Sequence, residues 1–163
     1  MPVLASLSAL ICSVEARLGE TKEQADSRYG DPDSIWGKQS LDDAYEIMRI
    51  YHVSHNDFSE IICYFIENKC EKIIYGGRKE SDLFISEVME LIKRNCGYGE
   101  EDLKSCGEHR SVAFFEDKKG EVFITWWRAE SEIPNRLILE TKKFKDKQEQ
   151  IKTGNTKERF KGL

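Results

Sequence analysis

Three segments in the middle of the chain, separated by short polar turns, constrain the fold more than any other feature. Residues 45–53 (YEIMRIYHV), 58–66 (FSEIICYFI) and 70–75 (CEKIIY) are rich in β-branched and aromatic side chains, which favour strands. The turns between them are too short to contain a crossover helix, so consecutive strands must pair in antiparallel fashion. The sequence therefore predicts an antiparallel meander in this region.

A second series of strands follows in the last third of the chain. It consists of three segments that are again rich in β-branched, aromatic and other apolar side chains, residues 111–116, 121–128 and 136–144. The first two are joined by the hairpin signal Asp117-Lys118-Lys119-Gly120. No apolar run reaches the ~18 to 20 residues of a membrane span. The chain of 163 residues thus resembles a globular domain with two groups of strands.

A helix is predicted before each series. Residues 20–29 begin with the capping box Thr21/Gln24 and end at Gly30, which is followed by Pro32. Residues 81–95 carry a single apolar stripe, with an acidic residue in the first turn and basic residues in the last. Both patterns are typical of amphipathic or capped helices that lean on a sheet.

The resulting order is helix–strand–strand–strand, twice over. We predict an α+β fold of two tandem αβββ units, residues 17–79 and 80–145, joined in one antiparallel sheet with the helices packed on one face. Residues 146–163 form a polar, basic tail that we expect to be helical or disordered.

The first sixteen residues indicate export. Residues 1–14 are uncharged and largely apolar, and a cut after Ala16 would place small residues at the positions that signal peptidase reads, Ala16 and Val14. We therefore predict a signal peptide over 1–16 and a periplasmic or secreted location. The alternative is a cytoplasmic protein in which this segment is a core helix.

Cysteine usage is compatible with export. Removing Cys12 with the leader leaves four cysteines, which allow three pairings. Cys96 and Cys106 flank a glycine-containing loop, and a bridge between them is the pairing that we expect in an oxidising compartment. Four reduced thiols in the cytoplasm are the alternative.

The sequence shows no catalytic or metal-binding constellation. It contains neither G-x-S-x-G nor C-x-x-C, and Gly97-Tyr98-Gly99 follows a helix instead of opening one, unlike a dinucleotide-binding turn. His52 and His55 lie three apart, which on a strand directs them to opposite faces. We expect no enzyme activity, no cofactor and no metal.

Charge and aromatic placement narrow the class of partner. The chain has a net charge of −5, although residues 142–163 alone carry eight basic and three acidic residues. An acidic body argues against binding nucleic acid. Adjacent Trp126 and Trp127 must face opposite sides of a strand, so one of them, together with Trp36, is a candidate anchor for a partner.

Residues 18–32 (LGETKEQADSRYGDP) resemble the opening motif of a family of small exported bacterial proteins, the outer-membrane assembly lipoproteins of the SmpA/OmlA type. The β-lactamase inhibitory proteins contain a tandem version of that architecture. The resemblance implies a bacterial envelope or extracellular protein whose sheet face binds another protein. We therefore expect a non-enzymatic protein-binding module; the alternative is a small-ligand-binding protein or enzyme with a pocket between helix and sheet.

Overall fold

The computed structural model describes residues 17–40, 43–53, 58–77, 85–128 and 135–160, which form one antiparallel sheet of eight strands and three α-helices. The predicted signal peptide, residues 1–16, lies outside the described residues. The strands are β1 (Ser34–Gly37), β2 (Ile47–His52), β3 (Phe58–Ile66), β4 (Lys69–Gly77), β5 (Leu103–His109), β6 (Val112–Asp117), β7 (Val122–Trp127) and β8 (Arg136–Thr141). The helices are α1 (Lys22–Tyr29), α2 (Ile85–Cys96) and α3 (Lys142–Phe160).

The strand order in the sheet is β1-β2-β3-β4-β8-β7-β6-β5. The last strand of each series therefore lies at the centre, where Ile73 and Ile74 of β4 pair with Leu139 and Ile138 of β8. Strands β1 and β5 form the two edges of the described sheet. The two series are thus joined through their final strands.

The first helix forms as its capping residues predict. The Thr21 hydroxyl accepts the Gln24 backbone N–H at 3.3 Å, and the Gln24 side chain accepts the Thr21 N–H at 2.8 Å. Gly30 ends the helix at φ 83°, a conformation that glycine adopts without a steric penalty. The capping box and the glycine stop are confirmed.

Two helices cover one face of the sheet, which we call the inner face. Ala25 of α1 and Val88 and Ile92 of α2 pack into the main core with the alternate strand residues that point to this side. A buried hydrogen bond from the Tyr75 hydroxyl to Asn95 Oδ1, at 2.6 Å, ties α2 to β4. Burial raises the pKa of Tyr75 far above its usual value, so this hydroxyl keeps its proton.

The prediction of two αβββ units with all helices on one face is wrong. Each series contains four strands, because β1 and β5 add an edge strand to each end of the sheet. Helix α3 packs on the opposite side, which we call the outer face: Phe144 lies 6.0 Å from Tyr64, centroid to centroid, and clusters with Ile66. The helices therefore cover parts of both faces.

The predicted final strand, residues 136–144, is also too long. Strand β8 ends at Thr141, whose hydroxyl accepts the Phe144 backbone N–H at 3.3 Å and so caps the first turn of α3. The chain turns here from the sheet onto its outer face.

Candidate protein-binding face

The register of the strands arranges the outer face into parallel rows of side chains. Successive residues of a strand point to opposite sides, so every second residue of each strand lies on this face. Paired positions on neighbouring strands then form rows that run across the sheet. Three such rows can be followed, and they differ in chemistry.

The middle row crosses six strands with five apolar side chains and one threonine, and we call it the isoleucine row. It consists of the cross-strand neighbours Ile50, Ile62, Ile74, Ile138, Thr125 and Phe114, in spatial order. All six are half-buried or exposed, and Phe114 is 39% exposed. Directly opposed β-branched residues stabilise a sheet, but they leave their outward surface to solvent or to a partner.

The row next to the isoleucine row combines aromatic side chains with ion pairs. Its residues, from β1 to β5, are Trp36, Met48, Tyr64, Lys72, Glu140, Phe123, Glu116 and Lys104. The carboxylates of Glu140 and Glu116 pair with Lys72 at 3.2 Å and with Lys104 at 3.0 Å.

The ion pair between Lys104 and Glu116 shifts the pKa values of both groups. The hydrogen bond from Lys104 lowers the pKa of Glu116, and the same bond raises the pKa of Lys104. Both groups therefore stay ionised at neutral pH. Because the row's two carboxylates and two ammonium groups balance, it presents no strong charge of its own.

The row on the other side of the isoleucine row contains an exposed aromatic. Trp127 of β7 stands between Val112 and Arg136, and 41% of its surface is accessible. Aromatic and arginine side chains of this kind are over-represented among residues that dominate binding energy at protein interfaces.

Helix α3 borders the outer face at one end of the strands. Its Lys145 ammonium lies 3.7 Å from the Phe123 ring centroid, and Lys72 lies 5.0 Å from the ring of Phe144. Ile151, two turns later, belongs to the same small cluster as Tyr64 and Ile66. The helix thus covers the ends of the central strands and forms a wall beside the isoleucine row.

The three tryptophans occupy different environments. Trp36, which is 46% exposed, lies on the outer face of edge strand β1, and Trp127 lies on the same face of β7, in the other half of the sheet. Trp126 points to the inner face, where it is 4% exposed and stacks under Arg128 at 4.9 Å. Of the predicted partner-binding aromatics, the structure therefore places Trp36 and Trp127 on the surface and Trp126 in the core.

The predicted bridge between Cys96 and Cys106 is not formed, and the four described cysteines are free. Cys96, at the end of α2, packs against the inner-face core, and burial raises its pKa to about 12. Cys106 is exposed at a bulge in β5, where its electrostatic neighbours are Lys104 and Glu116 of the outer face. The two thiols lie on opposite sides of the sheet, which explains why the short sequence separation does not bring them together.

We expect native thiol labelling to distinguish these cysteines. A maleimide at neutral pH should modify exposed Cys106 within minutes, while buried Cys63 and Cys70 react only after denaturation. Peptide mapping by mass spectrometry after a timed quench measures each site. Equal labelling of Cys106 and Cys63 in the folded protein would contradict this arrangement.

The histidine pair gives no metal centre in the described structure. His52 is exposed at the end of β2, where its Nδ1 lies 3.2 Å from the carboxylate of Asp33, and His55 lies outside the described residues. Within the described ranges, no group of three or more His, Cys, Asp or Glu residues is arranged to hold a metal ion. Among those same residues, no helix has the length and apolarity needed to cross a membrane.

If the alternative of a small-ligand-binding protein holds, the ligand would bind in a groove on the inner side of the sheet. It measures about 630 Å³ and lies between α2 and the β5–β6 hairpin. Met89, Leu103 and Phe115 supply its apolar lining, while Glu100 and Glu101 lie among its polar residues. The volume is in the range of small-molecule sites, and the lining combines these apolar side chains with carboxylates and Lys93.

Comparisons with known proteins give no family. No family model matches the sequence, and no curated protein matches it. A DUF4309 family protein (YjgB) from Bacillus subtilis is structurally similar with a TM-score of 0.39 and 11% identity over 75% of this chain and 78% of that one. An extracellular protein containing a SCP domain from Bacillus anthracis has a TM-score of 0.44 and 10% identity over 80% of this chain. This chain spans about half, 47%, of that second protein. Both TM-scores are too low to assign a shared fold.

Proposed function

We propose that this chain is an exported, non-enzymatic module that binds another protein of the bacterial envelope or extracellular space through the outer face of its sheet. The observation that carries the proposal is the isoleucine row, which crosses six neighbouring strands of the outer face and carries five half-buried or exposed apolar side chains beside Thr125. A strand with one wet face alternates apolar and polar residues, whereas β3 carries apolar or aromatic side chains on both sides over residues 61–65. In the described part of the chain, α1 and α2 cover the central strands of the inner face, whereas α3 covers only one end of the strands on the outer face.

The composition of the outer face supports protein recognition over exposure to water. A central apolar row, with Trp36 and Trp127 at the periphery, resembles the interface anatomy of a buried apolar core surrounded by aromatic and polar residues. The predicted signal peptide and the resemblance of residues 18–32 to exported envelope proteins favour a partner outside the cytoplasm.

Site-specific photo-crosslinking in cells that make the protein tests this proposal. Trp36 and Ile35 are neighbours on β1 that face opposite sides, and both are exposed, Ile35 by 59%. We expect Trp36→p-benzoylphenylalanine to yield one protein adduct and Ile35→p-benzoylphenylalanine to yield none. Ile35 is the matched control because it shares the strand and the exposure but not the face.

A second variant, Ile74→Thr, tests whether the crosslinked adduct depends on the outer face. Ile74→Thr keeps a β-branched side chain in the middle of the isoleucine row while adding a hydroxyl, so strand formation is preserved. The Trp36 adduct should then fall by about tenfold or more, which is the usual loss at a hot-spot residue. Equal adducts at positions 35 and 36, or an adduct that is indifferent to Ile74→Thr, would refute recognition by the outer face.

A further inference from the structure

We infer that the partner presents an amphipathic α-helix with an acidic flank, which lies along the isoleucine row beside α3. This inference rests on the proposed function and names the shape and charge of what binds. It depends on three observations: the length of the row, the path of α3 and the charge of α3.

The isoleucine row has the dimensions of a helix. From Ile50 on β2 to Phe114 on β6 it crosses six neighbouring strands, a span of about 24 Å at ~4.8 Å per strand. A helix rises 1.5 Å per residue, so about sixteen residues cover that span. An added strand would instead pair at a sheet edge, where β1 and β5 lie, and would not cover this row.

Helix α3 already crosses the same face in the required direction. It begins beside β8, contacts β4 and places Ile151 in the cluster with Tyr45 and Ile66, on the side of β3 and β2. It therefore runs across the strands, parallel to the isoleucine row. The aromatic row under Lys145 is two residues along each strand from the isoleucine row, about 7 Å. A partner helix at the usual interaxial distance of 8–10 Å from α3 would therefore lie just past the isoleucine row, on the side away from α3.

The positive charge of α3 determines which charge the partner helix needs on the side that faces α3. Residues 142–154, the part of the helix whose side chains the structure describes, include five basic and two acidic residues, whereas the whole chain is net negative by five charges. Lys142 and Lys143 pair with Asp146 and Glu67. The Lys145 ammonium lies over Phe123, which belongs to the row next to the isoleucine row. A partner helix with Glu or Asp on the side that faces α3 is attracted to this wall, and a basic flank is repelled.

Binding of synthetic helices to the purified full chain tests the inference. Three 18-residue peptides are compared by titration calorimetry: one with an apolar stripe and an acidic flank, its charge-reversed twin with Lys for Glu, and a scrambled acidic peptide. We expect the first to bind at least about tenfold more tightly than the other two at low salt, and to weaken as salt rises. Isoleucine methyl signals in NMR spectra should shift for Ile50, Ile62, Ile74 and Ile138 of the isoleucine row and not for Ile35 of edge strand β1.

A charge swap provides the strictest control. Lys145→Glu should weaken the acidic peptide and strengthen the charge-reversed one, a reversal that a purely structural defect cannot produce. Ile35→Thr, on the inner side of β1, should leave both affinities unchanged.

The inference is overturned if no peptide binds at millimolar concentration, if the scrambled peptide binds equally, or if the shifts map to an edge strand. If Trp36 crosslinks to a protein in cells but none of the peptides binds, the proposed function is retained and the inference of a helical partner is rejected. Absence of both results would reject the two together.

Discussion

Replacing Leu139 by alanine is expected to destabilise the protein by about 2–5 kcal/mol, the range measured for buried leucines that leave a cavity. Leu139 is fully buried at the centre of the sheet, directly between Ile73 of β4 and Ile124 of β7. Strand β8 is where the two series of strands meet, so the cavity opens at the junction of both halves. Urea unfolding followed by tryptophan fluorescence measures the loss.

Ile138 supplies the matched control, because it is the preceding residue of the same strand and faces outward. It is half-buried in the isoleucine row, so Ile138→Ala opens no closed cavity and should cost clearly less than Leu139→Ala. The same change should weaken binding at the outer face, which Leu139→Ala affects only through folding. Equal losses of unfolding free energy at the two positions would mean that the outer face is packed as a core.

The parts of the fold that the sequence predicted correctly are those governed by local chemistry. The capping box of Thr21 and Gln24 and the stop at Gly30 determine α1 within ten residues, and Asp117–Gly120 forms the predicted hairpin between β6 and β7. Such signals depend on neighbours in sequence, so no knowledge of the tertiary structure is needed.

The edge strands could not be predicted in this way. Strand β5 is polar, bulged at Cys106 and interrupted by Gly107, which has a φ of 127°, and it exists because β6 offers a paired partner. Strand β1 is four residues long and pairs with β2. Each forms by hydrogen bonding to the next strand in sequence, and this cross-strand pairing overrides the local propensity of the residues. Assigning Cys106 to a loop then led directly to the wrong disulfide.

The apolar residues of the outer face are visible in the sequence of β3, where both sides of the strand are apolar. In β3, Ile61, Cys63 and Phe65 point inward while Ile62 and Tyr64 point outward, so the strand has no polar side over this stretch. In β4 and β8 the outer face is apolar at Ile74 and Ile138, while Lys72, Arg136 and Glu140 point to the same side. A run of the kind seen in β3 indicates that both faces of the strand are covered. Alternation along β7 predicts that one of the adjacent tryptophans faces the core, and the structure shows that it is Trp126, while Trp127 is exposed.

Removing the carboxylate of Asp117 is expected to cost about 1–3 kcal/mol of stability, because two buried backbone donors would lose their acceptor. Asp117 is 2% exposed at the end of β6, and its Oδ1 accepts the N–H groups of Glu121 at 2.7 Å and Val122 at 2.8 Å. These bonds hold the turn that begins β7. Asp117→Ala removes the acceptor, whereas Asp117→Asn keeps a carbonyl oxygen there and should be milder.

The pH dependence of the unfolding free energy distinguishes the contribution of the charge of Asp117 from that of its shape. Burial alone would raise the pKa of Asp117, but the N–H groups of Val122 and Glu121 outweigh it and hold the pKa below its usual value of 3.8. A depressed pKa in the folded state stabilises the protein above the unfolded-state pKa, and this contribution is lost as the pH falls through the folded-state pKa. Chemical denaturation between pH 7 and pH 2 should therefore show the native chain and Asp117→Asn converging in acid. A constant difference between them over that whole range would show that the ionised carboxylate contributes nothing that the amide does not.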